Sequence, residues 1–421
     1  MCRLQSIRIE GGSALSGFVY IQGSKNAALP VMAAALLHQG ITTLYNCPKI
    51  TDVLCMEAIL KELGAVTAWD GNTLMLDCTN IDKTYVPSEY ANRMRSSIVL
   101  MGSMLGRTGC IKISYPGGCT IGKRPIDLHL KLLQEMGARI EENEGILHAV
   151  CAKIHPVDMT FSKSSVGATE NAILAAVLAD GVSVFRNCAR EPEILHLCNF
   201  LNAMGADIRG GGTDMLTVSG GKQLHDVKYR IPPDRIAAGT YLFAGAATRG
   251  EVTLENAPIR ELTSILSVYE KMGGQYHLNS GKLVTDSRQI RFPVPFIETA
   301  GYPGFPTDMQ SLLMSVLATI PGNSLIREQI FEERFKIVTL LNRMGAHILI
   351  DGRDALIFGG RKLYGQHVFA EELRGGAALV LAGLSASGVT VIENPHFIER
   401  GYENLCQNLA ALGGKIELTG E

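Results

Sequence analysis

Charged side chains recur at the predicted starts of the most apolar helices in this chain of 421 residues. When these helices are aligned on the glycines that follow them, six positions coincide at the helix starts: Lys25, Arg95, Gly167, Arg235, Asp308 and Arg374. The helix dipole opposes a cation in the first turn by about 0.3–1 kcal/mol. One such cation is compatible with ordinary surface charge. Cations at several equivalent starts indicate a site where basic side chains and free helix amides bind phosphate or carboxylate.

Other polar residues flank the same helix starts; they are Asn26, Ser165, Asp234 and Glu372. The sequence Thr307-Asp308-Met309-Gln310 fits a capping box, in which the first side chain caps the helix. Asp308 therefore has two interpretations. It is either an acid that suits a helix N-terminus or a general base beside the anion site.

A glycine-rich loop carries a thiol beside two cations. Residues 116–125 read Pro-Gly-Gly-Cys-Thr-Ile-Gly-Lys-Arg-Pro. This nearly matches a phosphate-binding P-loop, but Arg124 occupies the position of the Ser or Thr that binds magnesium, which excludes nucleotide hydrolysis here. Flanking glycines leave Cys119 exposable, and Lys123 and Arg124 favour its thiolate form. Cys119 is therefore a candidate acid or nucleophile.

The remaining candidates are single residues. Pro125 fits the first position of a helix over Ile126–Met136, and His129 lies one turn further on. The ten histidines have no metal-ligand spacing, and nine of the ten cysteines are interpreted as small hydrophobic residues. Arg400, considered alone, is a surface arginine.

Two glycine series predict six similar units. One series follows the more polar helices at intervals of 68 to 73 residues: Gly64, Gly137, Gly205, Gly273, Gly345 and Gly413. The other closes the apolar helices at intervals of 66 to 72 residues: Gly40, Gly109, Gly181, Gly250, Gly322 and Gly388. Two interleaved series with one period indicate six repeats of about seventy residues.

Each repeat predicts strand, helix, strand, helix and further strand, which is an α/β architecture. In four units an Asn stands six residues after the helix-closing glycine and suits a turn: Asn46, Asn187, Asn256 and Asn394. We expect the apolar helix at the centre of its domain and the polar helix at the surface. The repeat alone leaves open whether the six units form one solenoid or two globules.

Composition excludes several classes of function. Hydrophobic residues make up 46% of the chain, which excludes disorder, and a formal charge of −2 provides no global attraction for nucleic acid or an anionic membrane. No apolar run reaches the roughly 18–20 residues of a membrane span. The first residues lack a signal-peptide core, and cysteines without paired spacing favour a reducing compartment. We therefore expect a cytoplasmic protein that acts on small molecules, without nucleic-acid or membrane partners.

Together these motifs resemble the EPSP synthase/enolpyruvyl transferase family, and within it the branch that acts on a sugar nucleotide. The resemblance runs essentially end to end. It rests on Gly23-Ser24-Lys25-Asn26, the 116–125 loop, Ser165-Val166-Gly167-Ala168-Thr169, Pro233-Asp234-Arg235, Phe305-Pro306-Thr307-Asp308, Leu373-Arg374 and Glu399-Arg400-Gly401-Tyr402. The branch that makes enolpyruvylshikimate phosphate typically has Ser in place of Asn26 and lacks the cysteine loop.

The resemblance implies two domains, each an inside-out α/β barrel of three βαβαββ-like repeats. Residues 1–22 and 231–421 would form one domain and residues 23–230 the other, with the active site in the cleft between them. The implied reaction transfers the enolpyruvyl group of phosphoenolpyruvate to the 3′-hydroxyl of UDP-N-acetylglucosamine through a tetrahedral ketal and releases phosphate. This would be the first committed step of peptidoglycan synthesis and a target of fosfomycin. No metal or organic cofactor is implied.

The resemblance also assigns roles to residues. Cys119 would protonate the methylene carbon of phosphoenolpyruvate, and Asp308 would take the proton of the sugar hydroxyl. Lys25, Arg124 and Arg400 would hold phosphoenolpyruvate. The substrate-binding residues would be Lys25, Asn26, Arg95, Arg124, Pro125, Ile126, Asp127, Leu128, His129, Lys163, Ser164, Ser165, Val166, Gly167, Asp234, Asp308, Ile330, Arg334, Glu372, Arg374 and Arg400.

Two residues depart from the family pattern. Glu372 stands where Asp is usual, and its extra methylene could displace a carboxylate by about 1 Å, a shift that can cost on the order of a hundredfold in rate. Ala237 replaces a common Glu. These departures motivate one alternative, a catalytically silent protein that binds UDP-sugar and regulates a partner. The other alternative is the shikimate-pathway transferase on the same fold.

Overall fold

The chain folds into two units, each with its own hydrophobic core. The structure, a computed structural model, describes residues 5–117, 121–122 and 124–420. The terminal unit contains residues 5–22, 121–122 and 233–420, and the inner unit contains residues 23–117 and 124–232. Residues 5–22 therefore fold with the C-terminal part of the chain. Within the described ranges, every helix is too short or too polar to cross a lipid bilayer.

Apolar helices and more polar helices alternate along the chain. The described α-helices are Lys25–Ala35 (α1), Thr51–Glu62 (α2), Ser88–Ala91 (α3), Leu100–Thr108 (α4), Asp127–Glu135 (α5), Val166–Ala176 (α6), Pro192–Ala203 (α7), Arg235–Thr248 (α8), Thr263–Lys271 (α9), Thr307–Leu317 (α10), Ile337–Arg343 (α11), Leu373–Ser385 (α12), His396–Glu399 (α13) and Leu405–Ala411 (α14); Arg95–Val99 and Ile259–Leu262 are 3₁₀ segments. In the inner unit α4 packs against α1 and α6, and in the terminal unit α8, α10 and α12 pack together. Every residue of α8 from Arg235 to Ala247 is buried, so the predicted central position of the apolar helices is confirmed.

Each unit contains three four-stranded sheets. The inner sheets are Val227–Arg230, Ile41–Tyr45, Thr73–Asp77 and Val66–Asp70; Tyr85–Val86, Cys110–Ser114, Ile146–Val150 and Arg139–Asn143; and Asp158–Thr160, Val182–Arg186, Met215–Ser219 and Asp207–Arg209. The terminal sheets are His367–Phe369, Val389–Glu393, Ser6–Glu10 and Lys415–Thr419; Gln275–Asn279, Lys282–Asp286, Glu251–Glu255 and Ser16–Tyr20; and Phe296–Glu298, Asn323–Arg327, Asp354–Phe358 and Ile348–Asp351.

One pairing pattern recurs in all six sheets, because each has one parallel pair at an edge and two antiparallel pairs. Strands distant in sequence complete the pattern. In the inner unit Val227–Arg230 pairs in parallel with Ile41–Tyr45. In the terminal unit Ser16–Tyr20 pairs in parallel with Glu251–Glu255, and Ser6–Glu10 lies between Val389–Glu393 and Lys415–Thr419. Residues 5–22 therefore supply two strands of the terminal unit.

The turn residues of the repeat adopt the backbone conformations that their types favour. The six glycines after the polar helices all have φ between 89° and 113°, a left-handed region that disfavours a Cβ. The four repeated asparagines all have φ between 55° and 60°. Each also donates its side-chain amide to a backbone carbonyl beyond the neighbouring parallel strand. The predicted turns at these asparagines are confirmed.

Several helix boundaries differ from those predicted. The apolar helices α1 and α6 end at Ala35 and Ala176, several residues before Gly40 and Gly181, whereas α4 ends at Thr108 with Gly109 as its C-cap. The helix predicted over residues 126–136 is α5, and Ile126 is its N-cap with a non-helical φ of −108° and ψ of 8°. Pro125 therefore precedes the cap and is not the first helical residue.

Candidate functional site

In both units, polar side chains gather at the N-terminal ends of the central helices. The N-cap residues of α1, α6, α8 and α12 each accept a hydrogen bond from a backbone amide of the first turn; they are Ser24, Ser165, Asp234 and Glu372. These caps satisfy amides that a helix start would otherwise leave unbonded. Lys25, Arg235 and Arg374 follow directly in the first turns.

In the terminal unit, two buried arginines hold Asp308. Its Oδ1 accepts a hydrogen bond from Arg334 Nη2 at 2.7 Å, and its Oδ2 accepts one from Arg374 Nη2 at 3.0 Å. The side chains of Arg334 and Arg374 are 2% and 4% exposed, against 27% for Asp308. The carboxylate is therefore fixed in direction by two cations and still reachable from solvent.

Arg374 also belongs to a buried hydrogen-bond chain. Its Nη1 donates to the Tyr402 hydroxyl at 3.2 Å, and that hydroxyl pairs with Thr240 Oγ1 at 2.8 Å. Burial opposes the charged guanidinium, but Asp308, then Tyr402 and Asp234, more than compensate and raise the pKa of Arg374. Arg374 is therefore a permanent cation at the start of α12.

Glu372 caps α12 with its carboxylate. Its Oε2 accepts the Arg374 backbone amide at 2.8 Å, and its Oε1 accepts that of Gly375. Arg334 Nη1 lies 4.0 Å from Oε2. The carboxylate thus folds over the first turn of α12 and supports the arginines that hold Asp308.

The other departure from the family pattern also fits its surroundings. Ala237 is 1% exposed inside α8, and its backbone amide donates to Asp234 Oδ1 at 3.0 Å. The same Asp234 oxygen accepts the amide of Ile236 at 2.8 Å. The guanidinium of Arg235 lies 5.9 Å from the ring centroid of Tyr302, within cation–π range.

The predicted capping box at Thr307 is wrong. Pro306 is the N-cap of α10, and the Thr307 hydroxyl instead donates to Glu328 Oε2 at 2.9 Å. Glu328 is completely buried, and its Oε1 accepts the amides of Ile330 and Phe331 at 2.8 and 3.1 Å. It thereby orders the segment that leads to Arg334.

Sequence reasoning missed Glu328, although a signal for it existed. It lies six residues after Gly322, where four other repeats have the turn asparagine. The second exception is Tyr115, which precedes the cysteine loop. In both of the repeats that break the asparagine rule, candidate residues follow this position closely: the 116–125 loop after Tyr115, and Ile330 and Arg334 after Glu328.

Ile330 and Arg400 complete the terminal unit's candidates. Ile330 is half-buried in the segment that Glu328 orders. Arg400 is half-buried at the C-cap of α13.

In the inner unit, Lys25 forms a nearly buried ion pair. Its Nζ lies 3.0 Å from Asp52 Oδ2, and the two side chains are 12% and 6% exposed. Asn26 is half-buried beside it. Asp52 lies in the first turn of α2, and sequence reasoning missed it because an acid there is commonplace.

Arg95 and Arg124 lie close enough to repel each other. The Nη2 of Arg95 donates to the Pro125 carbonyl at 3.1 Å. Burial, and then the charge of Arg124, lower the pKa of Arg95 to about 10, so both guanidiniums remain charged near neutral pH. A bound anion would relieve this repulsion, as expected of a substrate-binding pair.

His129 lies beside these arginines and is 5% exposed. Its Nδ1 lies 2.7 Å from Asn171 Nδ2. Burial, then Arg95 and Arg124, lower the pKa of His129 to about 3. The imidazole is therefore neutral at physiological pH.

The segment before α6 adjoins His129. A Cβ on Gly167 would lie 2.9 Å from His129 Cε1 and 3.2 Å from Nε2, so only glycine leaves the ring in place. The exposed candidates of this unit are Lys163, Ser164, Pro125 and Asp127, and the half-buried ones are Ser165, Val166, Gly167, Arg124 and Leu128, while Ile126 is buried.

The structure brings together two groups of predicted residues. One contains Asp308, Arg334, Arg374, Glu372 and Asp234 in the terminal unit. The other contains Arg95, Arg124, Pro125, His129 and Gly167 in the inner unit. Lys25 pairs with Asp52, which was not among the predicted residues.

Cys119 and Lys123 lie outside the described residues. Among the described cysteines, burial raises the pKa of Cys78 and Cys198 to about 12 and that of Cys188 and Cys406 to about 11. These four thiols are poor acids and nucleophiles. Within the same ranges, no group of three or more His, Cys, Asp and Glu residues is placed to hold a metal ion.

The chain is similar to proteins of one enzyme family. Residues 9–409 match the model of the EPSP synthase (3-phosphoshikimate 1-carboxyvinyltransferase) family. The chain is 44% identical to UDP-N-acetylglucosamine 1-carboxyvinyltransferase 2 of Caldanaerobacter subterraneus subsp. tengcongensis, over 97% of this chain and 98% of that one. It is 45% identical to UDP-N-acetylglucosamine 1-carboxyvinyltransferase 1 of Symbiobacterium thermophilum, over 97% of this chain and 94% of that one.

Solved structures share the fold. The enolpyruvyl transferase NikO from Streptomyces tendae superposes with a TM-score of 0.89 at 23% identity, over 100% of both chains. An EPSP synthase from Acinetobacter baumannii superposes with a TM-score of 0.73 at 18% identity, over 99% of this chain and 100% of that one. These superpositions confirm the predicted two-domain fold of six repeats. With a family model and relatives that cover nearly its whole length, the chain belongs to the EPSP synthase family of enolpyruvyl transferases.

Proposed function

We propose that the protein transfers the enolpyruvyl group of phosphoenolpyruvate to the 3′-hydroxyl of UDP-N-acetylglucosamine and releases phosphate. The observation that carries this proposal is the 44–45% identity to two enzymes named for that transfer, over nearly the whole chain. The cations around the central-helix starts support it, because both substrates are anionic and need charge neutralisation. In this proposal the active site uses residues of both units.

The proposed mechanism is an addition of the sugar hydroxyl to phosphoenolpyruvate, followed by elimination of phosphate. The thiol of Cys119 gives its proton to the methylene carbon of phosphoenolpyruvate, Asp308 takes the proton of the sugar 3′-hydroxyl, and a bond forms between that oxygen and the central carbon. Loss of a proton from the new methyl group then expels phosphate and restores the double bond. Lys25, Arg124 and Arg400 hold phosphoenolpyruvate.

Several features of Asp308 support its role as the base. Hydrogen bonds from Arg334 and Arg374 fix its direction, and its side chain keeps 27% exposure. A base must be held within hydrogen-bond reach of the proton that it takes. In this proposal the same arginines also provide positive charge near the departing phosphate, which develops negative charge as it leaves.

The proposal extends to the biological role that the reaction implies. The product would enter peptidoglycan synthesis in the cytoplasm, and the protein would thereby contribute to cell-wall formation, cell shape, the cell cycle and division. Fosfomycin, an epoxide that resembles phosphoenolpyruvate, would alkylate Cys119.

The central test measures phosphate release from both substrates together and from phosphoenolpyruvate alone. We expect release only with UDP-N-acetylglucosamine present. Release with shikimate 3-phosphate but not the sugar nucleotide would select the shikimate-pathway reaction instead. Calorimetric binding of the sugar nucleotide without turnover would indicate a silent regulatory protein.

A second test addresses the loop thiol. We expect Cys119→Ala to lose about 10²–10⁴-fold in turnover, the usual contribution of a general acid, while Cys406→Ala stays near wild type. Intact mass after fosfomycin treatment should rise by one adduct in the wild type and not in Cys119→Ala. An unchanged wild-type mass would contradict a reactive thiol at this position.

A further inference from the structure

The carboxamide of Asn171 lies at the centre of a buried hydrogen-bond network in the inner unit. Asn171 is completely buried in α6. Its Oδ1 accepts the backbone amide of Gly102 at 2.8 Å, and its Nδ2 donates to the Ile98 carbonyl at 3.0 Å and to His129 Nδ1 at 2.7 Å. One side chain of α6 thus contacts the 3₁₀ segment Arg95–Val99 through Ile98, α4 through Gly102 and α5 through His129.

These partners fix which ring nitrogen of His129 carries the proton. A backbone amide only donates and a carbonyl only accepts, so Gly102 and Ile98 determine which end of the carboxamide is oxygen and which is nitrogen. The nitrogen end faces His129 Nδ1, which must therefore accept. A neutral imidazole with an accepting Nδ1 carries its proton on Nε2.

Asn171 also holds the segment that carries Arg95. Helix α4 begins only at Leu100, after the 3₁₀ segment Arg95–Val99. A continuous α-helix would bond the amide of Gly102 to the carbonyl of Ile98, and these are the two backbone groups that Asn171 satisfies. A Cβ on Gly102 would lie 2.8 Å from Asn171 Oδ1, so a glycine is required at this contact.

The charges around His129 favour the neutral ring. Arg95 approaches from the 3₁₀ segment and Arg124 from the segment before α5, and both disfavour an imidazolium. The one ionisable residue of α6 is Glu170, whose carboxyl group interacts with Glu193 and Glu191 instead. The Nε2 side of the ring faces Gly167 in the first turn of α6, where helix amides add positive potential.

We propose that Asn171 is a positioning residue that fixes His129 as a neutral hydrogen-bond donor through Nε2, so that His129 recognises an oxygen acceptor of the nucleotide sugar. The assignment of the ligand rests on the function proposed above, whereas the assignment of the tautomer does not. His129 thus contributes a hydrogen bond of fixed direction to ligand binding, whereas Arg95 and Arg124 contribute positive charge.

The first test reads the tautomer in the unliganded wild-type protein. Nitrogen-15 NMR of the histidine rings should show an unprotonated Nδ1 and a protonated Nε2 for His129 at every pH from 5 to 9, with His129→Gln used to assign the signals. Protonation of Nδ1 anywhere in that range would overturn the inference. This outcome does not depend on turnover, so it is distinguishable from failure of the proposed function.

The second test replaces Asn171 with a carboxylate of the same shape. In Asn171→Asp the side chain still accepts from Gly102 but has no hydrogen for Nδ1, so His129 must take a proton there. We expect His129 to titrate between pH 5 and 9. The KM for UDP-N-acetylglucosamine should then change at least tenfold across that range, with a smaller effect on kcat. A KM profile parallel to that of the wild type would overturn the positioning role.

A double variant separates positioning from structural damage. The amide of Gln reaches the position of Nε2 but does not titrate, so Asn171→Asp/His129→Gln should lose the pH dependence that Asn171→Asp creates. Asn202→Asp is the matched control, because Asn202 joins the amide and carbonyl of Ile208 in the same way. That variant should leave the KM profile unchanged. Persistence of the pH dependence in the double variant would assign it to another group and overturn the inference.

Discussion

At the scale of single residues, the positions that carry the proposed chemistry are held by partners from other helices and loops. Asp308 begins α10, whereas its partners are Arg374 of α12 and Arg334 of the segment between them. An isolated aspartate at a helix start would be equally compatible with a simple dipole effect. Two buried guanidiniums on one carboxylate are costly to assemble for stability alone, which favours the interpretation as a site.

The first prediction concerns Asp308→Asn. The amide keeps the shape of the side chain but loses the base, so we expect kcat to fall about 10²–10⁴-fold. The exchange also places an NH₂ group against one guanidinium, so the melting temperature should fall. Steady-state kinetics and circular dichroism at the assay temperature separate the two effects.

The matched control for that experiment is Asp354→Asn in the same unit. Asp354 pairs with Arg327 through two hydrogen bonds of 2.8 Å near the surface. We expect its kcat to remain within about twofold of the wild type, because surface pairs contribute little. An Asp308→Asn enzyme with kcat within tenfold of the wild type would contradict the role of Asp308 as the base.

At the residue scale, the sequence identified the candidate site residues but not the residues that hold them. Residue types identified Asp308, Arg95, Arg374 and His129 as candidates, because chemistry constrains type. Three partners in the site were not identified: Asp52 beside Lys25, Glu328 beside Thr307 and Asn171 beside His129. Each belongs to a different helix or loop from the residue it holds and is a common residue in its own local context. Contacts between separate elements do not follow from local periodicity.

At the scale of elements, capping explains the Glu372 departure. The side chain reaches back to the amides of Arg374 and Gly375, so the longer carboxylate remains directed at the helix start. Sequence comparison with the family pattern suggested a misplaced carboxylate. The structure shows a helix cap, which Asp would also provide.

The second prediction therefore compares two substitutions of Glu372. Glu372→Asp should keep the cap, the melting temperature and a kcat within a few-fold of the wild type. Glu372→Ala removes the cap and should destabilise the terminal unit by about 1 kcal/mol. Glu417→Ala, at a side chain 63% exposed in the same unit, serves as the control. Equal melting temperatures for Glu372→Ala and Glu417→Ala would rule out the capping role.

The third prediction concerns the glycines after the polar helices. Gly413 has φ of 89° and no atom within 4 Å of an added Cβ. Gly413→Ala should therefore cost about 1–2 kcal/mol from backbone strain alone, and Gly413→Asn should cost less because Asn tolerates this conformation. At Gly205 a Cβ would also meet the Gln223 carbonyl at 2.9 Å, so Gly205→Ala should cost more. Denaturant unfolding of the three variants measures these losses in stability. A Gly413→Ala variant as stable as the wild type would contradict the predicted backbone strain at this position.

Elements were the most predictable level of this molecule. The six-fold glycine series predicted the helix ends of the polar helices, and the asparagine series predicted the left-handed turns. The ends of α1 and α6 were predicted less well, because an apolar helix that is buried all round carries no polar face or cap to mark its C-terminus. The capping box at Thr307 failed because its hydroxyl has a better partner in Glu328.

At the scale of the whole molecule, a buried acidic group makes stability depend on pH. Glu170 is 7% exposed in α6. Burial, then Glu193 and Glu191, raise the pKa of Glu170 to about 8 from the ordinary value of 4.5. The folded protein thus holds a proton between these values that the unfolded chain releases. The contribution of this bound proton to the free energy of unfolding is present in full below about pH 4.5 and is lost as the pH rises toward 8.

The fourth prediction is that Glu170→Gln flattens this dependence. The wild-type free energy of unfolding of the inner unit should fall with pH by up to about 1.4 kcal/mol per unit in that window, whereas Glu170→Gln should show a smaller slope. The single tryptophan, Trp69, lies in a strand of the inner unit, so its fluorescence during urea unfolding reports on the relevant unit. Exposed Glu89→Gln is the control and should retain the wild-type slope. Equal slopes for all three proteins would contradict a buried neutral Glu170.

The periodicity alone did not predict how the six repeats divide between the terminal unit and the inner unit. That division depends on which distant strands pair, and pairing of edge strands far apart in sequence leaves no periodic mark. Ser6–Glu10 and Ser16–Tyr20 show the difficulty, because they belong with strands near residues 250, 390 and 415. The family resemblance, rather than periodicity, implied this arrangement.

The fifth prediction follows from those two strands. Residues 233–420 alone lack the strand that separates Val389–Glu393 from Lys415–Thr419 and the parallel partner of Glu251–Glu255. We therefore expect that fragment to be unfolded or aggregated, because exposed strand edges pair non-specifically. Ser6 pairs with Thr419 in an antiparallel ladder, so a short turn can join residue 420 to residue 5. The rearranged chain, residues 233–420 followed by 5–22, should give a cooperative thermal transition by circular dichroism. The same chain with residues 5–22 scrambled is the control, and equal transitions for the two would show that these strands are not required for the terminal unit to fold.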